Sequence, residues 1–230
     1  MNTPDLNFDI PRLGEARLDS PVSLRFLEDD RRVLFDVDLQ TVQAALAAGR
    51  RPACFELAGP RRKMFFDPGK LSCGIVTCGG LCPGLNDVIR SIVFALSYHY
   101  GVQTVWGFRF GYEGLVARYG HEPLRLTPEV VDAIHEDGGT ILGSSRGPQD
   151  VSEMVDTLQR REIGILFTLG GDGTLRGALA IAEEIRRRDL PISVIGVPKT
   201  VDNDVSFVHQ SFGFHTAVTQ TRTPIIGAHW

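Results

Sequence analysis

The residues best suited to chemistry fall in four short segments. Pro198-Lys199-Thr200-Val201-Asp202-Asn203-Asp204 sets two carboxylates two residues apart, just after a lysine and a threonine. One carboxylate can accept a hydroxyl proton while the ammonium and hydroxyl address anionic oxygens. The same composition also suits a plain polar turn, because Asn and Asp dominate turns. Gly170-Gly171-Asp172-Gly173-Thr174 places an acid where glycines would let a backbone cradle phosphates. An acid there repels phosphate unless a divalent cation bridges the two, which makes Asp172 a candidate metal ligand. The alternative is an aspartate that caps the following helix. Cys78-Gly79-Gly80-Leu81-Cys82-Pro83-Gly84-Leu85-Asn86 is either a phosphate loop or a tight turn that needs glycine. Gly138-Gly139-Thr140-Ile141-Leu142-Gly143-Ser144-Ser145-Arg146-Gly147 ends in an arginine. Its guanidinium is either a solvated surface charge or a group that neutralises phosphoryl oxygens.

The elements that must position these segments alternate between strand and helix from Leu71 onward. Apolar runs at Cys73–Thr77, Gln103–Phe108, Ile163–Leu169 and Ile192–Val197 read as strands, the third continuous as in a central parallel strand. Helical periodicity covers Asp87–Tyr98, Thr127–Glu136 and Thr174–Arg188. The last would put Leu175, Ala178, Leu179, Ala182 and Ile185 on one stripe, with Glu184 and Arg188 paired four residues apart. Strand, glycine loop and helix in repetition indicate an α/β fold with a doubly wound, mostly parallel sheet. Such sheets bind ligands at the carboxyl ends of strands, where every glycine cluster here falls.

Residues 1–70 read as an N-terminal extension packed beside the main domain of 71–230. Short β-like runs at Val22–Phe26, Arg32–Val37, Ala53–Leu57 and Lys63–Phe66 surround a helix over Leu39–Gly49. Hydrophobic residues make up 43% of the chain, charged residues 23%, and the net charge is −4. This balance offers no basic field for nucleic acid, so an anionic ligand must be held by local groups. No apolar run reaches the roughly 18 residues of a membrane span. The opening residues lack a signal-peptide layout, and the expected location is cytoplasmic. Cys54, Cys73, Cys78 and Cys82 contain no C-x-x-C pair and read as reduced, buried or loop cysteines rather than metal ligands or disulfides. Cys78 and Cys82 lie in the first glycine loop, where oxidation would disturb a bound ligand.

Taken together, the four segments resemble the phosphofructokinase family, from about Leu71 to Ala217. G-G-D-G-T also occurs in NAD kinases and diacylglycerol kinases. An NAD kinase gives no reason for P-K-T-V-D-N-D, and the combination with G-G-T-I-L-G-S-S-R is far more specific. The resemblance implies ATP-dependent 6-phosphofructokinase activity, the glycolytic transfer of phosphoryl from Mg-ATP to the 1-hydroxyl of fructose 6-phosphate. It makes Asp202 the proton acceptor and Arg146 and Asp204 its catalytic companions. Asp172 then holds Mg²⁺. Gly80, Tyr112, Arg146, Gly147, Gly171, Asp172, Gly173, Thr174 and Gly177 contact ATP, and Lys199, Thr200, Val201 and Asp202 face the sugar phosphate.

The resemblance also bears on the donor. The pyrophosphate-using branch carries a second aspartate at the position of Gly173, where its carboxylate would crowd the α-phosphate of ATP. Lys199 is shared with that branch, but a longer ATP-using branch with an N-terminal extension combines the lysine with G-G-D-G-T, down to C-G-G-L-C-P-G-L-N-D-V-I-R. ATP is the expected donor and pyrophosphate the alternative. The family's second half supplies a Met-Gly-Arg segment and further sugar-phosphate ligands, some from a neighbouring subunit. None of the three methionines here precedes Gly-Arg, and Pro224 fits the helix expected at that point poorly. Two readings stand: an enzyme of this type, a homo-oligomer if complete, or a truncated, non-catalytic nucleotide-binding fragment of it.

Overall fold

Alternating side chains and β-branched runs build the sheet that carries the site. A computed structural model describes residues 8–22, 25–205 and 207–229. The chain forms two compact units that divide between Phe65 and Phe66. In the first, β1 (Leu18–Asp19) pairs antiparallel with β4 (Lys63–Met64), and β2 (Arg32–Leu34) with β3 (Cys54–Glu56). Helix α1 (Leu39–Ala47) begins where Asp38 accepts a hydrogen bond of 2.8 Å from the Thr41 N–H. The rings of Phe8, Phe35 and Phe55 cluster with centroids 4.4–5.9 Å apart. The run Val22–Phe26 forms no strand in its described residues, and Ser23 and Leu24 lie outside them.

The second unit contains β5 (Ser72–Thr77), α2 (Leu85–Phe94), β6 (Thr104–Phe108), β7 (Leu124–Arg125), α3 (Pro128–Val131), α4 (Val151–Arg160), β8 (Ile163–Gly170), α5 (Asp172–Arg187), β9 (Ser193–Pro198) and α6 (Phe214–His229). The strand order is β7-β6-β5-β8-β9, parallel except for β7. This is the doubly wound α/β sheet that the strand and helix alternation implies. Ile75 and Val76 point to opposite faces, as neighbours on a strand must. Ile75 packs with Leu85, Ile89 and Val131 from α2 and α3. Val76 packs with Met154, Leu158, Ile181 and Ile185 from α4 and α5. No helix among the described residues is long and apolar enough to cross a membrane.

Several elements differ from the sequence expectation. Helix 127–136 stops after one turn at Val131, and a short 3₁₀ turn follows over Ile134–Glu136. The Asp132 carbonyl is taken by Arg90 Nε at 2.9 Å, and His135 Nδ1 lies 3.0 Å from it, so side chains occupy the acceptor that a continuing helix would use. Helix α2 ends at Phe94 and continues as a wider π-turn through Ala95–His99. Helix α5 starts at Asp172, so its buried stripe is Thr174, Ala178, Ile181 and Ile185, and Leu179 stands 60% exposed. The Glu184–Arg188 pair forms as expected, at 2.6 Å. Helix α4 and strand β7 were not among the expected elements. The α4 start is nonetheless written in Asp150 and Glu153, since Asp150 accepts from the Glu153 N–H at 3.0 Å. Helix α6 runs through Pro224 despite the lost N–H. It is exposed over most of its length, so water can serve the carbonyl that Pro224 leaves without a donor.

All four cysteines are free, and Cys73, Cys78 and Cys82 are buried. Burial pushes the Cys73 and Cys78 thiols from 9.0 up to about 12. The folded chain keeps protons there that the unfolded chain releases, so this stabilisation is whole below about pH 9 and fades as pH rises towards 12. The urea midpoint is therefore expected to fall with pH above about 9, and to fall less steeply in Cys73→Val; equal slopes would contradict it.

Candidate active site

The site lies where β5 and β8 end side by side. The Cys78 N–H bonds the Leu169 carbonyl at 2.9 Å, and the chain then turns away from each strand. Gly170 is required at this point. A methyl group there would sit 2.1 Å from Thr174 Oγ1 and 2.8 Å from the Cys78 carbonyl. With no methyl, the Thr174 hydroxyl reaches the Cys78 carbonyl at 3.4 Å and ties the start of α5 to the first glycine loop. The segment Gly138–Gly147 is sewn to the same loop. Gly79 N–H bonds the Ser145 carbonyl at 3.0 Å, and Ser144 Oγ donates to the Gly79 carbonyl at 2.6 Å. Thr77 Oγ1 donates to the Gly143 carbonyl at 2.8 Å, and Asn86 holds the Ile141 N–H and the Asp137 carbonyl.

Two cavities open along these loops. The larger, about 670 Å³, is bounded by Gly79, Tyr112, Gly147, Gly173, Thr174 and Gly177 among others. The smaller, about 450 Å³, is bounded by Asp172, Thr200, Val201, Asp202 and Asp204 among others. They share Gly80, Arg146, Gly171 and Lys199. Every site residue expected from sequence lines one or both. A methyl group on Gly80 would lie 3.5 Å from Arg146 Nη2 and 3.7 Å from Lys199 Nζ, so two cations converge over a residue with no side chain. Neither makes an ion pair or side-chain hydrogen bond among the described residues. Lys199 is only 6% exposed. Its stem is buried while its ammonium faces the two cavities without a protein partner, so an anion between them would supply one.

The acids divide by environment. Asp172 opens α5 and is not its cap; that place belongs to Gly171, which makes no side-chain cap bond. Its carboxylate is largely exposed and lies 3.7 Å from Arg176. Asp204 accepts from Thr200 Oγ1 at 2.5 Å, whereas the exposed Asp202 carboxylate is unpaired among the described residues. The turn that carries them is pinned from behind. Asn203, at φ +55°, accepts from the Ser211 N–H at 2.8 Å, and Ser211 Oγ donates to the Thr200 carbonyl. The described residues contain no cluster of three or more His, Cys, Asp or Glu side chains suited to a metal. Asp172 and Asp204 on the smaller cavity suit an ion such as Mg²⁺, which takes one or two carboxylates and completes its shell with phosphate oxygens and water.

Tyr112 and Gly177 are coupled rather than independent. A methyl group at Gly177 would lie 2.5 Å from the Tyr112 ring, and Tyr112 Oη donates to the Thr174 carbonyl at 2.6 Å. Burial pushes the phenol's pKa upward, with a further push from Cys78, so it stays a donor. Pro148, Gln149, Val151, Met154, Arg176 and Ala180 also line the larger cavity and were not expected from sequence. Gly173, Gly177 and Ala180 at helical spacing, and Asp150 as the cap of α4, are the signals that carry them.

Comparison with known proteins gives the family. Residues 72–226 match the family model described as Phosphofructokinase. The chain belongs to the phosphofructokinase family. It is 46% identical over 236 residues to the ATP-dependent 6-phosphofructokinase of Borreliella burgdorferi, covering 98% of this chain and 52% of that protein. It is 51% identical to the enzyme of that name from Amycolatopsis methanolica, covering 89% of this chain and 46% of the relative. The chain thus spans about half the length of the curated relatives it matches. Among solved structures, Pichia pastoris phosphofructokinase in the T-state aligns over 72% of this chain and 19% of its own, with a TM-score of 0.58 at 24% identity. Pyrophosphate-dependent phosphofructokinase from Marinobacter aquaeolei aligns over 63% of this chain and 37% of its own, with a TM-score of 0.57 at 24% identity. These two show the shared fold.

The unpaired Lys199 yields a test. Lys199→Met is expected to change unfolding stability by no more than about 0.5 kcal/mol, because the buried stem is replaced by one of similar volume and only a cavity-facing charge is lost. The same change should weaken binding of inorganic tripolyphosphate, measured by calorimetry, by about tenfold or more. A loss of stability with unchanged anion binding would show that Lys199 is structural.

Proposed function

We propose that this protein is an ATP-dependent 6-phosphofructokinase, with residues 71–230 carrying its nucleotide, metal and proton-accepting groups and residues 1–70 an N-terminal extension. The observation that carries this reading is the pair of unpartnered cations, Arg146 and Lys199, over Gly80 at the junction of two cavities. One cavity suits a donor and the other an acceptor, and the junction is where a transferring phosphoryl group would sit. The nucleotide occupies the larger cavity, its phosphates on the first turn of α5 and on Gly80. Fructose 6-phosphate enters the smaller one, beside Thr200, Val201 and Asp202.

Transfer then requires little covalent work from the protein. Asp202, unpaired and exposed, takes the proton of the sugar 1-hydroxyl as that oxygen bonds to the γ-phosphorus and the bond to the β-phosphate oxygen breaks. Arg146 and Lys199 stabilise the charge on the equatorial oxygens. Asp172 and Asp204 would hold Mg²⁺, which neutralises the polyphosphate, and Thr200 fixes the orientation of Asp204. The donor assignment rests on Gly173. A side chain there would meet no protein atom within 4 Å and would project into space that ATP requires. Because its φ is not positive, an aspartate fits the backbone without strain.

Two measurements test this reading. Gly173→Asp is expected to fold normally and lose Mg-ATP affinity by about tenfold or more in calorimetry, through a carboxylate set against phosphate. Pyrophosphate used in preference to ATP by the parent chain would overturn the donor assignment. With fructose 6-phosphate and Mg²⁺, ATP should support fructose 1,6-bisphosphate formation. Asp202→Asn should slow that reaction by about 10²–10⁴-fold while leaving Mg-ATP affinity unchanged. A chain that binds Mg-ATP but forms no product would instead be a non-catalytic nucleotide-binding module.

A further inference from the structure

The larger cavity extends well beyond its phosphate end. Gly173, Gly177 and Ala180 line it from one side of α5. Seven residues at about 1.5 Å each carry that wall about 10 Å from the helix start. Val151 and Met154 of α4 and Pro148 line it as well, with Arg176 of α5 the one cation besides Arg146 and Lys199. Gln149 lines the cavity in the same stretch, immediately before the Asp150 cap of α4. Its Oε1 is buried and has no hydrogen-bond partner among the described residues. Native interiors rarely leave such an atom unpaired, and because the Gln149 side chain lines an open cavity, a turn of its amide would give the oxygen a ligand group as partner.

The chemistry of that group follows from its surroundings. Apolar walls disfavour phosphate and sugar hydroxyls and suit a flat aromatic base. A carboxamide offers one acceptor and one donor side by side, which matches the amino group and adjacent ring nitrogen on the edge of adenine. We propose that Gln149 reads the nucleobase, its amide hydrogen-bonding the 6-amino edge of adenine in the larger cavity. This rests on the reading that Mg-ATP occupies that cavity. Gln149 thereby sets base specificity and takes no part in the transfer itself.

The test is a cycle that deletes the contact from each side. Calorimetry would compare Mg-ATP with the Mg complex of purine riboside triphosphate, which lacks the 6-amino group, and with inorganic tripolyphosphate. The parent chain should favour ATP over the purine analogue by about tenfold. Gln149→Leu should erase that preference while leaving tripolyphosphate affinity unchanged, which also certifies the fold. Gln149→Glu keeps an acceptor for the amino group and should retain the preference, whatever its added charge does to overall affinity. A preference that persists in Gln149→Leu, or is absent from the parent chain, overturns the role of Gln149 while leaving the nucleotide site standing. Failure of the parent to bind Mg-ATP at all overturns the nucleotide reading and the base contact with it.

Discussion

The parallel pairing of β5 with β8 is the constraint on which the site depends. Register runs from Cys73 opposite Ile165 to Thr77 opposite Leu169, and the next residues, Cys78 and Gly170, meet where both strands end. The chain leaves β5 towards one face through α2 and leaves β8 towards the other through α5, which opens a crevice between them. Only a residue without Cβ at 170 lets Thr174 close on the Cys78 carbonyl. Had a side chain stood there, the α5 N-terminus would move away from the first loop, and Asp172 and Gly173 with it.

Around that seam the structure trades stability for function. Lys199 is buried without a carboxylate, Arg146 has no partner, and Gln149 holds an unpaired amide oxygen. Elsewhere in the same unit the polar groups are well matched. Arg188 is shared between Glu184 and Asp156, and Asn86 satisfies both a donor and an acceptor of the neighbouring loop. Unpaired groups gathered at one crevice mark it as the candidate site. The loops that present them are tied to one another by backbone and side-chain hydrogen bonds.

Much of this was legible before any coordinates. The strands were readable because a sheet covered on both faces needs continuous apolar runs, as in Ile163–Leu169. The site residues were readable because their segments have few bland alternatives in combination. What escaped was governed by competition between neighbours. The helix expected over 127–136 yields to Arg90 and His135 at the Asp132 carbonyl, and nothing within those ten residues announces Arg90. The α5 stripe was misplaced because α5 packs against α4 as well as the sheet, which centres its buried arc on Ala178, Ile181 and Ile185 and leaves Leu179 in water.

The sequence by itself determined the fold class and the four segments that line the crevice, because residue type and local spacing carry those. The candidate roles of Asp202 and Gly173 came from the family resemblance of the segments in combination. Tertiary structure alone decided that Arg146 and Lys199, 53 positions apart in the chain, converge over Gly80, and that both cavities meet there. It also decided that Tyr112 serves α5 by docking into the gap at Gly177 and bonding the Thr174 carbonyl. Sequence separation carries no information on which side chains share a crevice. That is set by strand order, by the hand of each crossover and by the few glycines at which two backbones can touch.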